Sequence, residues 1–333
     1  MNQSIMGLAE ATELVKAGRI LLLAGDEDIL RQLPKGQWIA GTIPYFIAPG
    51  HGGLAVRDKI FVTDISAVVE SVSIAQYDQD TLSRVYVEGP EHGFSFIVMP
   101  ATCQTHLAFA LNAPSYEDFG VRPLIGWISG VHLSDLGKVT PKIFNGLTGV
   151  ALEEGALVLQ AALVPGKVAE IGILNLFEQG DGDVLTFPAG GFSVSDVLVN
   201  GEKRNFSEYI SENKLDTRLP LVADYYGVMV NSAFQSVDQA PGKVVFYAPV
   251  FNGVRYKHAK PVEDYVAAFN SRVAQECQGC GDRIIFSCNC ILNYLYSDLE
   301  GKTTAPFFGP MTFGEIAYQL LTQTMVFLDI YDA

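Results

Sequence analysis

Basic residues are scarce in this chain: 22 Lys and Arg stand against 37 Asp and Glu, a formal net charge of -15 at pH 7. No stretch clusters Lys or Arg, so the positive footprint that a nucleic-acid backbone or an anionic membrane surface requires is missing, and neither is expected as a partner. Long apolar runs are missing too. The mean hydropathy is high at +0.22, yet Gly, Pro or charge interrupts every apolar stretch well short of the ~20 residues that a membrane-spanning helix needs. The opening Met1-Asn2-Gln3-Ser4-Ile5-Met6 has no basic region followed by an apolar core, so no secretory signal is read and a cytoplasmic location is expected. Fixed short repeats and low-complexity tracts are absent. Pro49-Gly50-His51-Gly52-Gly53 lacks the Lys-Ser/Thr of a phosphate-cradling loop, and Gly180-Asp181-Gly182 has no dinucleotide-binding setting. Five cysteines are few and odd in number. In a reducing compartment they are expected to be thiols, metal ligands or redox groups rather than structural disulfides.

What is present is apolar residue in quantity: 49% of 333 residues, enough for a large core and for two domains. Leu8, Ala11 and Val15 recur at helical spacing up to Gly18, and Arg19 to Ala24 is a short apolar run of the kind buried on both faces. Gly25-Asp26 then offers an N-cap for Glu27 to Gln32, and Gln37 to Gly41 restores strand character, a β-α-β reading. A helix is expected from Asp80. Strands at 155–163 and 167–175 flank Pro165-Gly166, which suits a hairpin-like turn, and Asn200-Gly201 marks another. Val262, Tyr265, Val266, Phe269 and Val273 share one helical face. The short acidic, Gly-rich segment 178–183 is the expected boundary between domains 1–180 and 181–333. The fold class is therefore α/β with mixed parallel and antiparallel sheets flanked by helices.

The densest motif lies near the C-terminus. Arg283-Ile284-Ile285-Phe286-Ser287-Cys288 reads as a strand ending in Ser-Cys; Phe307 to Ile316 carries Gly314-Glu315-Ile316; and Thr322 to Leu328 reads as a closing strand. These segments resemble the C-terminal signature of FIST proteins. Trp38-Ile39-Ala40-Gly41-Thr42 and Val197-Leu198-Val199-Asn200-Gly201 are similar to the family's N-terminal strand and to the segment that opens its C-terminal part. This chain departs from the pattern at Cys290-Ile291, where Gly-Arg is usual, and at Pro44-Tyr45, where Gly-Glu is common. The resemblance implies two FIST-like parts and a sensory module of intracellular signal transduction that binds an amino-acid-like metabolite, with a separate signalling protein as partner. Ligand contacts are then expected from two strand-end turns: Thr42 and Tyr45 in the first part, and Ser287, Cys288, Asn289, Phe313, Gly314 and Glu315 in the second.

Three alternatives accompany that reading. Cys277, Cys280, Cys288 and Cys290 could close a tetrahedral zinc site, although their spacing is not that of a standard knuckle; no cofactor is otherwise expected. Cys288, at the carboxyl end of a strand, could serve a hydrolase or transferase with Glu315 nearby, but none of the scattered histidines is nominated as its base. Glu315 itself could hold an amine or, more plainly, satisfy backbone N–H groups at a helix start.

Overall fold

The computed structural model describes residues 3–225, 228–240, 242–276, 281 and 283–333. Three six-stranded sheets, and a smaller unit made of a fourth six-stranded sheet and a three-stranded one, are flanked by helices and make the mixed α/β architecture. The first sheet runs Gln3–Met6, Ile60–Asp64, Leu21–Gly25, Trp38–Thr42, Ile143–Asn145, Val150–Leu152. The second runs Gln319–Leu321, Glu315–Ala317, Leu124–Ser129, Gly93–Pro100, Ala156–Leu163, Val69–Tyr77. The third runs Lys167–Leu174, Met325–Asp332, Ile284–Cys290, Gly309–Thr312, Tyr45–Ala48, Gly52–Ala55. Each sheet contains one parallel pair: Leu21–Gly25 with Trp38–Thr42, Gly93–Pro100 with Leu124–Ser129, and Ile284–Cys290 with Gly309–Thr312. Strands buried on both faces need apolar residues at every position rather than at alternate ones. Leu21 to Gly25 and Trp38 to Thr42 meet that condition, with every residue buried.

The three sheets close around one core. Phe96 of the second sheet meets Phe286 of the third edge-on at 4.7 Å, and Phe46 of the third stacks on Phe61 of the first at 5.8 Å. A second core, with Phe187, Phe206 and Phe246 at its centre, is built from residues 185–256. The expected boundary near 180 falls where the chain approaches this smaller core. The helix carrying Tyr265 and Phe269 returns the chain to the larger core, and from Ile284 it supplies five strands to the second and third sheets.

Local expectations were met unevenly. The β-α-β opening forms, with Asp26 capping the short helix Glu27–Leu30 by accepting from the Asp28 N–H. Asn200 and Gly201, both at positive φ, close a two-residue hairpin between Asp196–Val199 and Glu202–Asn205. The strands on either side of Pro165-Gly166 do not pair with each other. Ala156–Leu163 lies between Val69–Tyr77 and Gly93–Pro100, whereas Lys167–Leu174 pairs with Met325–Asp332, so this turn carries the chain from one sheet to another. The helix expected from Asp80 is only the single turn Leu82–Arg84. The helix read from Val262 spans Tyr265–Glu276 and buries Tyr265 and Phe269.

The first and second sheets approach closely at Gly41, where a Cβ would stand 2.7 Å from both Trp127 Cη2 and Val98 Cγ1. Gly41→Ala is expected to destabilise the protein by ~1–3 kcal/mol through overpacking. A calorimetric melt indistinguishable from that of the unsubstituted protein would refute this contact.

Candidate functional site

The residues of the C-terminal motif come together, but as a closed polar knot. The strand Ile284–Cys290 continues through Cys288 and Asn289 instead of turning there, and the helix Ile291–Tyr296 starts after it. Its parallel neighbour aligns Asn289 with Met311 and Cys290 with Thr312. Three residues on, Glu315 opens a strand, not a helix, opposite Trp127. The exposures of Ser287, Cys288, Asn289 and Glu315 are 2, 2, 4 and 0%, so none of them borders solvent.

Every polar side chain in the knot is occupied internally. Glu315 Oε1 accepts from Thr312 Oγ1 at 3.1 Å, while Oε2 accepts from the Thr324 N–H at 3.2 Å and from Thr324 Oγ1 at 2.9 Å. These donors are neutral, so burial dominates and pushes the Glu315 carboxyl up to about 8. Ser287 Oγ donates to the Phe308 carbonyl at 2.8 Å, and Cys288 Sγ lies 3.7 Å from the Gly126 carbonyl it donates to. Asn289 Oδ1 accepts from the Cys290 N–H at 2.7 Å and from Asn293 Nδ2 at 2.8 Å, and Asn289 Nδ2 donates to Tyr265 Oη at 3.3 Å. Burial, with Glu315 adding to it, holds the Cys288 and Cys290 thiols well above their ordinary pKa. Neither thiolate nor carboxylate is the resting form at neutral pH, which leaves the Cys288 and Glu315 pair without a nucleophile or a base. Cys277 and Cys280 of the zinc alternative lie outside the described residues. Among the described residues no group of three or more His, Cys, Asp and Glu is arranged to hold a metal ion.

Thr42 and Tyr45 lead elsewhere, to an open cleft of about 230 Å³. It lies where three strands end: Leu21–Gly25 runs out into Asp26, Glu27 and Asp28, Trp38–Thr42 into Ile43 and Pro44, and Leu124–Ser129 into Gly130, Val131 and His132. The carboxyl ends of strands are where α/β sheets place ligands. Thr42 fastens two of these ends together. Its Oγ1 donates to the Gly130 carbonyl at 2.7 Å and accepts the Lys142 N–H at 2.9 Å, and its own carbonyl accepts the Gly130 N–H at 2.7 Å. Gly130 admits this geometry only because it has no side chain, since a Cβ would stand 2.4 Å from the Phe313 ring. Phe313 therefore backs the cleft floor from the side of the knot. Tyr45 stands beside the opening, stacked on His132 at 5.3 Å and accepting the Leu133 N–H at 3.1 Å.

Four carboxylates face one guanidinium across this cleft: Asp26, Glu27, Asp28 and Asp135 against Arg57. Arg57 Nη1 lies 2.7 Å from Asp135 and 3.6 Å from Asp26. Its hydrogen bond to Asp135 holds that carboxyl below its ordinary range. Glu27 is also lowered: burial opposes ionisation there, but Lys142 at 2.7 Å and Arg31 outweigh it. Arg57, His132 and Asp135 were not nominated from sequence. The only local signal was Asp26 directly after a buried strand, read as the N-cap of a helix from Glu27 to Gln32.

The fold and site together define a mixed α/β protein with an acidic cleft at converging strand ends. The chain belongs to a family of unknown function, DUF6976, whose model matches residues 6–331. No curated protein matches it.

Two outcomes follow from the knot. Glu315 retains its proton up to about pH 8 in the folded chain, against an ordinary value of 4.5, so the folded state binds a proton that the unfolded state has released. Stability is present in full below the lower value and declines as pH rises through this window, by up to ~1.4 kcal/mol per unit. Glu315→Gln should flatten that decline in urea titrations between pH 5 and 8; an unchanged slope would show that Glu315 is ionised when folded. In alkylation followed by peptide mass spectrometry, Cys288 and Cys290 should react only after unfolding, and labelling of Cys288 in the native protein would restore its candidacy as a nucleophile.

Proposed function

We propose that this protein binds a small amine-bearing, amino-acid-like metabolite in the cleft between Asp26, Thr42, Arg57 and Asp135, and that it serves as a sensory module. The observation that carries the reading is the set of lining carboxylates Asp26, Asp28 and Asp135, beside a Glu27 already paired with Lys142 and Arg31, against one lining guanidinium in a cleft of about 230 Å³. Ordinary ligand pockets span about 300–1,000 Å³, so this one suits a molecule of few heavy atoms. Its negative field favours an ammonium group. The Arg57 guanidinium has five N–H donors and its partners in the structure are Asp26, Asp135 and Ser134, which leaves it able to meet a ligand carboxylate as well. The resemblance of the C-terminal segments to FIST modules points the same way, and in such a role the protein would act through a separate signalling partner in the cytoplasm. Free, buried Cys103, Cys288 and Cys290 are in keeping with a reducing compartment. Cysteine-dependent hydrolysis or group transfer has less support, because the thiol it needs is sealed and protonated.

In a thermal-shift panel of amino acids, simple amines and their deaminated analogues, an amine ligand at a hundredfold its Kd should stabilise the protein by about 2.7 kcal/mol. Asp135→Asn should weaken that ligand about tenfold, or ~1.4 kcal/mol, while leaving the melting temperature of the unliganded protein nearly unchanged. Equal stabilisation by the deaminated analogues would eliminate amine recognition, and no stabilisation by any compound would eliminate the sensor.

A further inference from the structure

We propose that an extended peptide segment carrying an acidic residue docks along the free edge of the strand Phe234–Asp238, in the groove between that strand and the end of the helix Phe206–Glu212. The groove lies mainly on the smaller unit, has a volume of about 490 Å³, and shares no lining residue with the acidic cleft. Phe234–Asp238 is the outermost strand of its sheet, paired on one side with Lys243–Val250, and among the described residues no strand pairs with its other side. An unpaired edge presents a row of backbone donors and acceptors that an added strand can satisfy.

Two features show that the groove meets this edge rather than one face of the sheet. Successive side chains of a strand point to opposite faces, yet Phe234, Gln235, Ser236 and Val237 all line the groove. The register also shifts between Phe234 and Ser236, so Gln235 is an extra residue, and such bulges re-aim an edge. Leu215 across the gap and Val237 on the strand are only partly buried, over the core residues Ile210 and Phe234, and offer apolar contacts for side chains of a bound segment.

The charge is set by one residue. Lys214 is the only charged residue among those lining the groove. It occupies the position just past the helix end at a φ of +51°, with its N–H donating to the Ser211 carbonyl and the Leu215 N–H to that of Ile210. This is a helix-closing geometry that glycine or asparagine adopts with less strain, so the turn itself does not call for a lysine. Neighbouring carboxylates do not neutralise it, since Glu212 pairs with Arg204 and Asp216 with Arg218. A chain of net charge -15 repels acidic peptides in general, so a preference for one would report on Lys214 and not on bulk attraction.

The test uses the intact protein and three fluorescein-labelled hexapeptides of alternating valine and threonine: one with a central glutamate, one with lysine in its place, and the glutamate peptide N-methylated at alternate amides. Anisotropy should show the glutamate peptide binding at least tenfold more tightly than the lysine peptide and the N-methylated peptide not at all. Lys214→Glu, confirmed as folded by circular dichroism, should reverse the charge preference. The proposal is overturned if no peptide binds up to about 1 mM, if the first two bind alike, or if N-methylation leaves affinity intact. Sedimentation showing that this edge pairs with a second copy of the chain would overturn it too.

Discussion

A carboxyl group without water around it ties the large core together. Glu315 belongs by its backbone to the second sheet, opposite Trp127 and Leu321, whereas its side-chain oxygens are held by Thr312 of the third sheet and by Thr324, just ahead of the strand Met325–Asp332. An unpaired polar group buried in this way costs about 1–3 kcal/mol, so the carboxyl and its donors need one another. That mutual need fixes the separation of the sheets where Ile284–Cys290, Gly309–Thr312 and Leu124–Ser129 run side by side. The cleft inherits its shape from this: Phe313, one residue past Thr312, presses on Gly130, and Gly130 exchanges hydrogen bonds with Thr42 at the opposite wall. The motif residues thus govern the opening without lining it.

This division explains what was legible in the sequence. Fold class and several elements could be read because they rest on local pattern: the apolar run Leu21 to Ala24, the helical face of Tyr265 and Phe269, the left-handed Asn200-Gly201 pair. The Pro165-Gly166 turn was misleading because a turn signal reports that the chain bends, not which strand it will pair with; here the partner, Met325–Asp332, lies more than 150 residues away. The chain reversal expected at Cys288 failed for a related reason. Cys288, Asn289 and Cys290 are compatible with either a turn or a buried strand, and pairing with Met311 and Thr312 on one side and Met325 and Val326 on the other selects the strand.

The site was half legible. Thr42 was found because it ends the strand Trp38–Thr42, the segment whose resemblance to the FIST N-terminal strand implied a ligand contact at the turn that follows. Arg57, His132 and Asp135 come from loops whose convergence depends on the alignment of two sheets, and no spacing in the sequence encodes it. Glu315 was visible as chemistry but not as environment: a carboxylate beside Gly314 reads equally as a ligand contact or a cap, and only the three neutral donors around it reveal a buried, protonated acid.

The short helix Ile291–Tyr296 joins the two surfaces that have been given roles. It starts directly after Cys290 and is pinned to the knot by Asn293, which donates to Asn289. Tyr294 packs edge-on against Tyr45 at 5.7 Å, and Tyr45 stacks on His132 of the acidic cleft. Two residues further on, Tyr296 lines the groove beside Phe234–Asp238. Two sites on one rigid element are coupled only if that element has alternative positions that the two ligands favour unequally, and the coupling is then equal in both directions. The knot sets a limit on those positions. With Asn289, Cys290 and Asn293 buried and Asn289 bonded to both of the others, the start of the helix cannot translate without breaking buried hydrogen bonds, so a difference between liganded states would arise as rotation or fraying at its far end, where Leu295 and Tyr296 are 38 and 41% exposed.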